Sequence, residues 1–198
     1  MDERAVRASV GLVEQINAAD LGRSTPCAGW NLADLLAHMA VQHDGFAAAA
    51  GGAGDDPAVW HPRPLTDPAR EYVAAAERVI AAFRPDDVLT RRFTLIEIST
   101  STTFSGRTAI GFHCIDYVVH AWDVARSLGC PITLDADLAD VAFAIASAVP
   151  DGPQRLEPGA AFRPAVRLQP ASEGSTMDRV VAMLGRDPAW TPPSGPAR

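Results

Sequence analysis

The stretch that decides the fold is residues 107–129, RTAIGFHCIDYVVHAWDVARSLG, in which apolar side chains occur on nearly every side of a helical wheel. A helix that is apolar all round is buried, so this segment predicts the central helix of a bundle. Gly129 follows it as a natural stop, because glycine readily adopts the left-handed conformation that ends many helices. The segments on either side must then supply the helices that pack around it.

Those flanking segments have apolar residues at helical spacing and predict amphipathic helices. Asn31 is a suitable N-cap for the second helix, with Asp34 placed to complete a capping box, and Asp67-Pro68 starts the third. Residues 93–104 are β-branched and aromatic and predict a short strand or an extended crossover. Apart from the central helix, we predict one from the N-terminus to 20–22, one from 31 to 51, one over 68–83, one after 135 and a short one over 176–184.

These elements predict an all-α fold, a four-helix bundle with an additional helix, a short Pro-rich C-terminal extension and a minor β element. Residues 1–190 form one domain, and residues 191–198 form a loose tail. The long connection over 85–106 argues against a simple up-down-up-down topology. An extended segment over 165–168 is a further expectation.

The composition excludes several functional classes. The net charge of -7 gives no basic footprint for nucleic acid or an anionic membrane. All 17 basic residues are arginine, so a catalytic lysine is excluded. The cysteines Cys27, Cys114 and Cys130 form no C-x-x-C pair, which argues against a disulfide framework and fits a reduced compartment. The N-terminal segment has no apolar signal core and no run approaches the ~18 apolar residues of a membrane span, so we expect a cytoplasmic protein.

Polar residues interrupt the apolar central helix at helical spacing. Asp116 and His120 lie one turn apart, so both side chains can point at a single ion. His38 interrupts the apolar run of the second helix in the same way and is the best third ligand. Two imidazoles and one carboxylate leave coordination positions open, which is typical of a catalytic metal site. Zinc and iron(II) both suit this set, so the residues leave the identity of the metal open.

Other interpretations of the same residues stand beside this one. Buried histidines are more often hydrogen-bonded within a core, and Asp116–His120 is also the spacing of an ordinary ion pair worth ~0.2–0.5 kcal/mol. Asp123 is either an acceptor that orients His120 or a solvated carboxylate. We interpret Asp34 as a cap. The remaining assignments are Cys114 as a packed thiol, Trp30 and Trp122 as core anchors, His61 as exposed, and His43 as pointing away from His38.

Two sequence signatures add a resemblance to a known family. Residues 25–30 (TPCAGW) with 34–38 (DLLAH) resemble the signature that opens the second helix of the DinB/YfiT-like metalloenzymes. Residues 116–126, DYVVHAWDVAR, resemble the D-x-x-x-H-x-W-D-x-A signature of the actinobacterial branch related to the N-terminal domain of mycothiol-dependent maleylpyruvate isomerase. Residues 183–190, MLGRDPAW, are similar to the end of uncharacterised members.

The resemblance implies a DinB-like four-helix bundle that holds a divalent metal, zinc or nickel, near one end. Transferred residue by residue, the implied ligands are His38, Asp116 and His120. It also implies that the metal activates a low-molecular-weight thiol, mycothiol or a similar compound. The isomerase has a glutamate where Asp116 stands and a separate C-terminal domain, so we do not predict maleylpyruvate as the substrate.

The leading hypothesis is therefore a metal-dependent thiol S-transferase or isomerase acting on a small electrophile. His113, one turn before Asp116, is the candidate catalytic residue, as a fourth ligand or an acid–base group. A metal-hydroxide hydrolase is the second hypothesis. The third is a bundle that binds the metal or a ligand without turnover. The expected partners are the thiol and a small substrate, with no nucleic acid and no membrane, and bundles of this kind often form homodimers.

Overall fold

The computed structural model describes residues 1–157, 159–168 and 174–193. Most helices begin at a side chain that caps the first turn. Asn31 and Asp34 form the predicted capping box, and the side chain of Asp67 accepts the first-turn N–H of Arg70. The helices are α1 (Asp2–Val13), α2 (Leu32–Ala50), α3 (Pro68–Ala82), α4 (Gly106–Leu128), α5 (Ala136–Ala148) and α6 (Thr176–Met183), with short 3-10 helices at Pro57–Trp60 and Pro153–Leu156.

The first four helices form the predicted bundle. Helix α1 packs on α4 and α3, and α2 packs on α3 and α4, so each helix has two neighbours in a closed ring. The consecutive helices α1 and α2 therefore lie at opposite corners, as do α3 and α4. This arrangement agrees with the prediction that the bundle is not a simple up-down-up-down one. Helix α5 packs against α4 and against α6, outside the ring.

Helix α4 is the central helix that its sequence predicts. Its apolar side chains are buried along most of its length, including Tyr117 and Trp122. The prediction of Trp122 as a core anchor is thus confirmed, and so is that of Cys114 as a packed thiol, since 3% of this residue is exposed. Gly129 ends the helix with a φ of 72°, in the left-handed region.

The β-branched segment between α3 and α4 forms a small hairpin rather than one strand. Strand β1 (Arg92–Thr94) pairs antiparallel with β2 (Thr103–Ser105), and Phe93 lies opposite Phe104. Phe93 is fully buried in a second apolar cluster with Trp60 and Phe46. The hairpin thus closes the end of the bundle where α2 ends and α4 begins.

One prediction of extent is wrong. Helix α1 ends at Val13, not near residues 20–22. The cause is local competition by short polar side chains, because Asp20 accepts the N–H of Asn17 and Asn17 accepts the N–H of Ala19, which holds turns in place of helix. The predicted extended segment over 165–168 is tied to α6, because the Val166 N–H donates to the carbonyl of Ala182, and it pairs with no strand among the described residues. The predicted loose tail, 191–198, lies outside the described residues from 194 onward.

Within the described ranges, no helix combines the length and the apolar character that a membrane crossing requires.

Candidate metal centre

Helices α2 and α4 bring the three sequence-predicted ligands together. One potential ligand atom from each of His38, Asp116 and His120 lies within 4.8 Å of the other two. His120 Nε2 is 3.4 Å from Asp116 Oδ1, and the rings of His38 and His120 meet edge to face with centroids 5.3 Å apart. The one-turn spacing on α4 therefore aims two side chains at the same point, and α2 supplies the third.

The distance between the two ligand atoms on α4 suits a small divalent ion. Ligand atoms about 2.1 Å from a tetrahedral ion lie about 3.4 Å from one another, which is the separation of His120 Nε2 from Asp116 Oδ1. The side chain of Asp116 is 25% exposed and His38 is half-buried, so the cluster opens toward solvent on one side. Three donors with an open side could hold an ion and still leave room for a thiol or water.

The protonation state of His38 favours metal binding. Burial, together with the neighbouring His120, lowers the pKa of His38 to about 4. The imidazole is therefore neutral at pH 7, which is the form that binds metals.

His120 lies between two carboxylates. Burial alone would lower the pKa of His120, but Asp116, Asp123 and Cys27 outweigh it and raise the pKa to about 10. Without a metal, a proton therefore occupies the position between His120 and Asp116. Metal binding there would replace that proton, as it does at other histidine sites.

The other face of His120 rests on a buried polar group. Asp123 Oδ2 accepts from His120 Nδ1 at 2.9 Å, from Arg186 Nη2 at 3.1 Å and from the Cys27 thiol at 3.2 Å. Burial alone would raise the pKa of Asp123, but Arg186 and His120 outweigh it and lower the pKa. The side chain of Asp123 is fully buried, so of the two sequence-based interpretations, orientation of His120 is confirmed and solvation is wrong.

Cys27, His120 and Asp123 also lie close enough together to hold an ion. The guanidinium of Arg186 contacts Asp123 within this second group and already supplies the positive charge. A further cation there would be repelled, so we interpret this group as the support of His120. Sequence reasoning missed both Cys27 and Arg186, although each lies in one of the stretches that resemble the family.

His113 is not placed with the three ligands. Its Nδ1 lies 2.7 Å from Asp2 Oδ1 and its Nε2 lies 3.1 Å from His43 Nδ1, within the closed core. The 60° that separates His113 from Asp116 on the helical wheel is enough to turn it toward α1. As predicted, His43 points away from His38.

A cleft of about 540 Å³ opens beside His38. Trp30 forms one wall, its ring centroid 4.8 Å from that of His38, and 38% of this residue is exposed. The prediction of Trp30 as a core anchor is therefore wrong, because the loop before α2 presents it to the cleft. His61 is exposed as predicted and lines an adjoining cavity of about 210 Å³, which shares Arg63 and Leu65 with the cleft.

Known proteins resemble this chain in sequence over much of its length. The family model described as the mycothiol maleylpyruvate isomerase N-terminal domain matches residues 3–125. The uncharacterized protein Rv0738 of Mycobacterium tuberculosis strain H37Rv is 29% identical over 194 residues, which cover 93% of this chain and 94% of the relative. Its counterpart MT0763, from strain CDC 1551 of the same organism, matches equally well.

Two solved structures have a similar fold. The mycothiol-dependent maleylpyruvate isomerase aligns with a TM-score of 0.55 and 14% identity, and a mutant of it aligns with 0.57 and 12%. Each alignment covers 73% of this chain and 64% of the isomerase, so the chain spans less than two thirds of that protein. At this identity the likeness concerns the fold alone. The match over residues 3–125, more than half of the chain, assigns the protein to the family of the mycothiol maleylpyruvate isomerase N-terminal domain.

Proposed function

We propose that this protein is a divalent-metal enzyme that uses a low-molecular-weight thiol to transform a small electrophile. The observation that supports it is the convergence of His38, Asp116 and His120, within 4.8 Å, beside a cleft. We assign the three side chains as ligands of one ion, zinc first, with nickel and iron(II) as alternatives. We place the protein in the cytoplasm, where thiols remain reduced.

The family membership supports a thiol as co-substrate, because the matched domain is named for mycothiol. A divalent ion at this site would lower the pKa of a thiol brought to it, so that the sulfur is nucleophilic at neutral pH. The sulfur then displaces a leaving group from the electrophile, or adds to a double bond and leaves again after rotation about the bond. In the second case the thiol is regenerated and the net reaction is an isomerisation.

The protein side chains fix the geometry of this step. Asp123 accepts the Nδ1–H of His120, so once a metal replaces the proton on Nε2, the lone pair of that atom, which faces Asp116, would bind the ion. Arg186 keeps Asp123 ionised, and Cys27 donates to the same oxygen. The neutral His38 supplies the second nitrogen from α2. We assign His113 no catalytic role, because both its ring nitrogens are engaged inside the core.

The test measures both metal content and thiol-dependent turnover on the same set of proteins. Wild-type protein, His38→Ala and His120→Ala are purified without chelator, loaded with zinc and analysed for metal by mass spectrometry. The exposed His61→Ala is the matched control. Each protein is then mixed with mycothiol and either maleylpyruvate or 1-chloro-2,4-dinitrobenzene, and loss of the electrophile is followed.

We expect about one zinc per chain and thiol-dependent loss of an electrophile in the wild type and in His61→Ala, and neither in the other two variants. A wild type that binds no zinc, nickel or iron(II) would overturn the proposal. Metal-dependent hydrolysis that needs no thiol would replace it with the hydrolase hypothesis.

A further inference from the structure

The loop before α2 holds an exposed aromatic ring over a candidate metal ligand. Large aromatic side chains are usually buried, but Trp30 is 38% exposed and forms a wall of the 540 Å³ cleft beside His38. This volume is within the usual range of small-molecule sites. The position of Trp30 therefore needs an explanation other than core packing.

The backbone of the loop that carries Trp30 is held by local hydrogen bonds. The Thr25 hydroxyl lies 3.0 Å from the Trp30 carbonyl, to which it donates, and it accepts the N–H of Cys27 at 3.1 Å. Gly29, with a φ of 84°, provides the left-handed turn that other residues rarely adopt. Ser24 and Asn31 form a β-bridge that closes the loop. A loop ordered in this way places the ring at the cleft before a ligand binds, which reduces the entropy lost on binding a flat or ring-shaped group.

The charged side chains that line the cleft are already engaged in contacts within the protein. Among the described residues that line it, the only arginine is Arg63, and its guanidinium is paired with Glu71 at 2.7 Å. The carboxylate of Asp34 is engaged in the cap of α2. Pro62 and Pro64 supply apolar surface opposite the loop that carries Trp30. A carboxylate-bearing ligand would find no free cation on these walls, whereas an uncharged ring would be well matched.

We infer that this cleft binds the sugar portion of the thiol, with a sugar ring lying against the indole of Trp30 and the sulfur directed to the ligand cluster at His38. The inference rests on the proposed function, because it needs a thiol at that cluster. The sugar portion of mycothiol has hydroxyl groups and no ionised group, and the C–H face of a sugar ring packs well on an aromatic side chain. Trp30 is then a specificity-determining residue that selects a sugar thiol over a peptide thiol.

The experiment compares three thiols on zinc-loaded protein by calorimetry. Mycothiol has the sugar portion, N-acetylcysteine amide has the same thiol end without it, and glutathione is an anionic peptide thiol. The proteins are the wild type, Trp30→Leu, Trp30→Phe and Trp190→Leu, a control tryptophan that does not line the cleft. Thermal unfolding establishes that each variant is folded.

We expect the wild type to bind mycothiol at least about tenfold more tightly than either other thiol, since a buried tryptophan contact of this kind is worth that much or more. Trp30→Leu should lose this preference while its affinity for N-acetylcysteine amide changes less than about twofold. Trp30→Phe and Trp190→Leu should retain it. The inference would be overturned if Trp30→Leu lost affinity equally for mycothiol and N-acetylcysteine amide, or lost no affinity for mycothiol.

Metal content separates this outcome from failure of the proposed function. If the wild type binds zinc and turns over an electrophile but Trp30→Leu binds mycothiol like the wild type, only the role of Trp30 is overturned. If the wild type binds no metal, the proposed function fails, and a tenfold loss of mycothiol affinity in Trp30→Leu would still establish the cleft as its binding site.

Discussion

Helix α4 carries two histidines that pair with carboxylates, and the two have opposite surroundings. His120 lies with Asp116 and His38 beside an open cleft, which we call the open cluster. His113 lies with Asp2 and His43 inside the bundle, which we call the closed cluster. Both are nearly or fully buried and both bond a carboxylate, so neither burial nor an acidic neighbour distinguishes them.

The difference lies in what the ring nitrogens face. Both nitrogens of His113 have partners within the protein, and His43 stacks flat on Tyr117 with ring centroids 3.9 Å apart. In the open cluster, the ring of His38 forms no hydrogen bond to any side chain or backbone group in the described part of the chain, and Nε2 of His120 faces only Asp116. Histidine nitrogens that converge with a carboxylate beside an open cleft indicate a ligand site, whereas the ring of His113, held by two partners inside the core, indicates a structural role.

The largest expected effect is a separation of metal affinity between the clusters. Removing one ligand of a zinc site costs on the order of 100- to 1,000-fold in affinity, since a full set contributes about 10–16 kcal/mol. We therefore expect His38→Ala to lose zinc affinity by that factor and His43→Ala to retain it. Competition with a chromogenic chelator measures both, and equal losses would abolish the distinction between the clusters.

The next effect is on stability and belongs to the closed cluster. Asp2→Leu removes the acceptor of His113 and leaves a buried polar atom unpaired, which we expect to lower the free energy of unfolding by about 3 kcal/mol. Asp2→Asn keeps an acceptor oxygen and should cost less than half of that. Urea denaturation of metal-free protein provides the values. Zinc affinity should stay within about twofold in both variants, and a tenfold loss would mean that the clusters are coupled.

Replacing Asp123, which holds the Nδ1 side of His120, should have a moderate effect on metal affinity. Asp123→Asn removes the charge that accepts from His120, Arg186 and Cys27, and changes of this kind typically cost 10- to 100-fold in metal affinity. Ser127→Ala is the matched control, because Ser127 bonds the backbone carbonyl of Asp123 and not its carboxylate. Metal competition should separate the two variants, and if Asp123→Asn matches the control, Asp123 does not tune the ligand.

The smallest effect is a pH dependence from the closed cluster. Burial, with His113 and Arg78 nearby, lowers the pKa of His43 well below its ordinary 6.5. The unfolded chain then binds more protons than the folded one below pH 6.5, so stability falls as the pH falls from there. Between pH 6.5 and 5.5 this amounts to about 1 kcal/mol.

Replacement of His43 isolates this contribution. His43→Phe keeps the stacked ring and should reduce the loss of stability between pH 6.5 and 5.5 by about 1 kcal/mol relative to the wild type. Denaturation at the two pH values measures it. An unchanged loss would mean that His43 is protonated in the folded state.

Local sequence patterns predicted most of the fold. The capping box of Asn31 and Asp34, the proline after Asp67 and the glycine after α4 each fix a helix end through neighbouring residues, and all three are present. The error at the end of α1 has the same local origin, because Asn17 and Asp20 bond backbone groups more favourably than a continued helix would. Helix boundaries are predictable where the competing local interactions are recognised.

The candidate site was predictable only in part. The one-turn spacing places Asp116 and His120 on one face, and the convergence with His38 could be proposed because each interrupts an apolar run. The partners of Asp123 could not be proposed from the sequence, since Arg186 lies 63 residues further along the chain and Cys27 lies 96 residues before Asp123. The position of His113 away from the ligands was unpredictable for a related reason, because its acceptor Asp2 lies 111 residues away. Helical spacing defines a face but not what packs against it.

The position of Arg186 also has a consequence for biosynthesis. All three candidate ligands leave the ribosome well before residue 186. In the growing chain, Asp123 therefore supports His120 without the guanidinium of Arg186 beside it. We expect such a chain to release an ion that the finished protein retains. Stable metal acquisition would then be the last event of synthesis, and chains interrupted before residue 186 would be distinguishable from complete ones by the metal they lose.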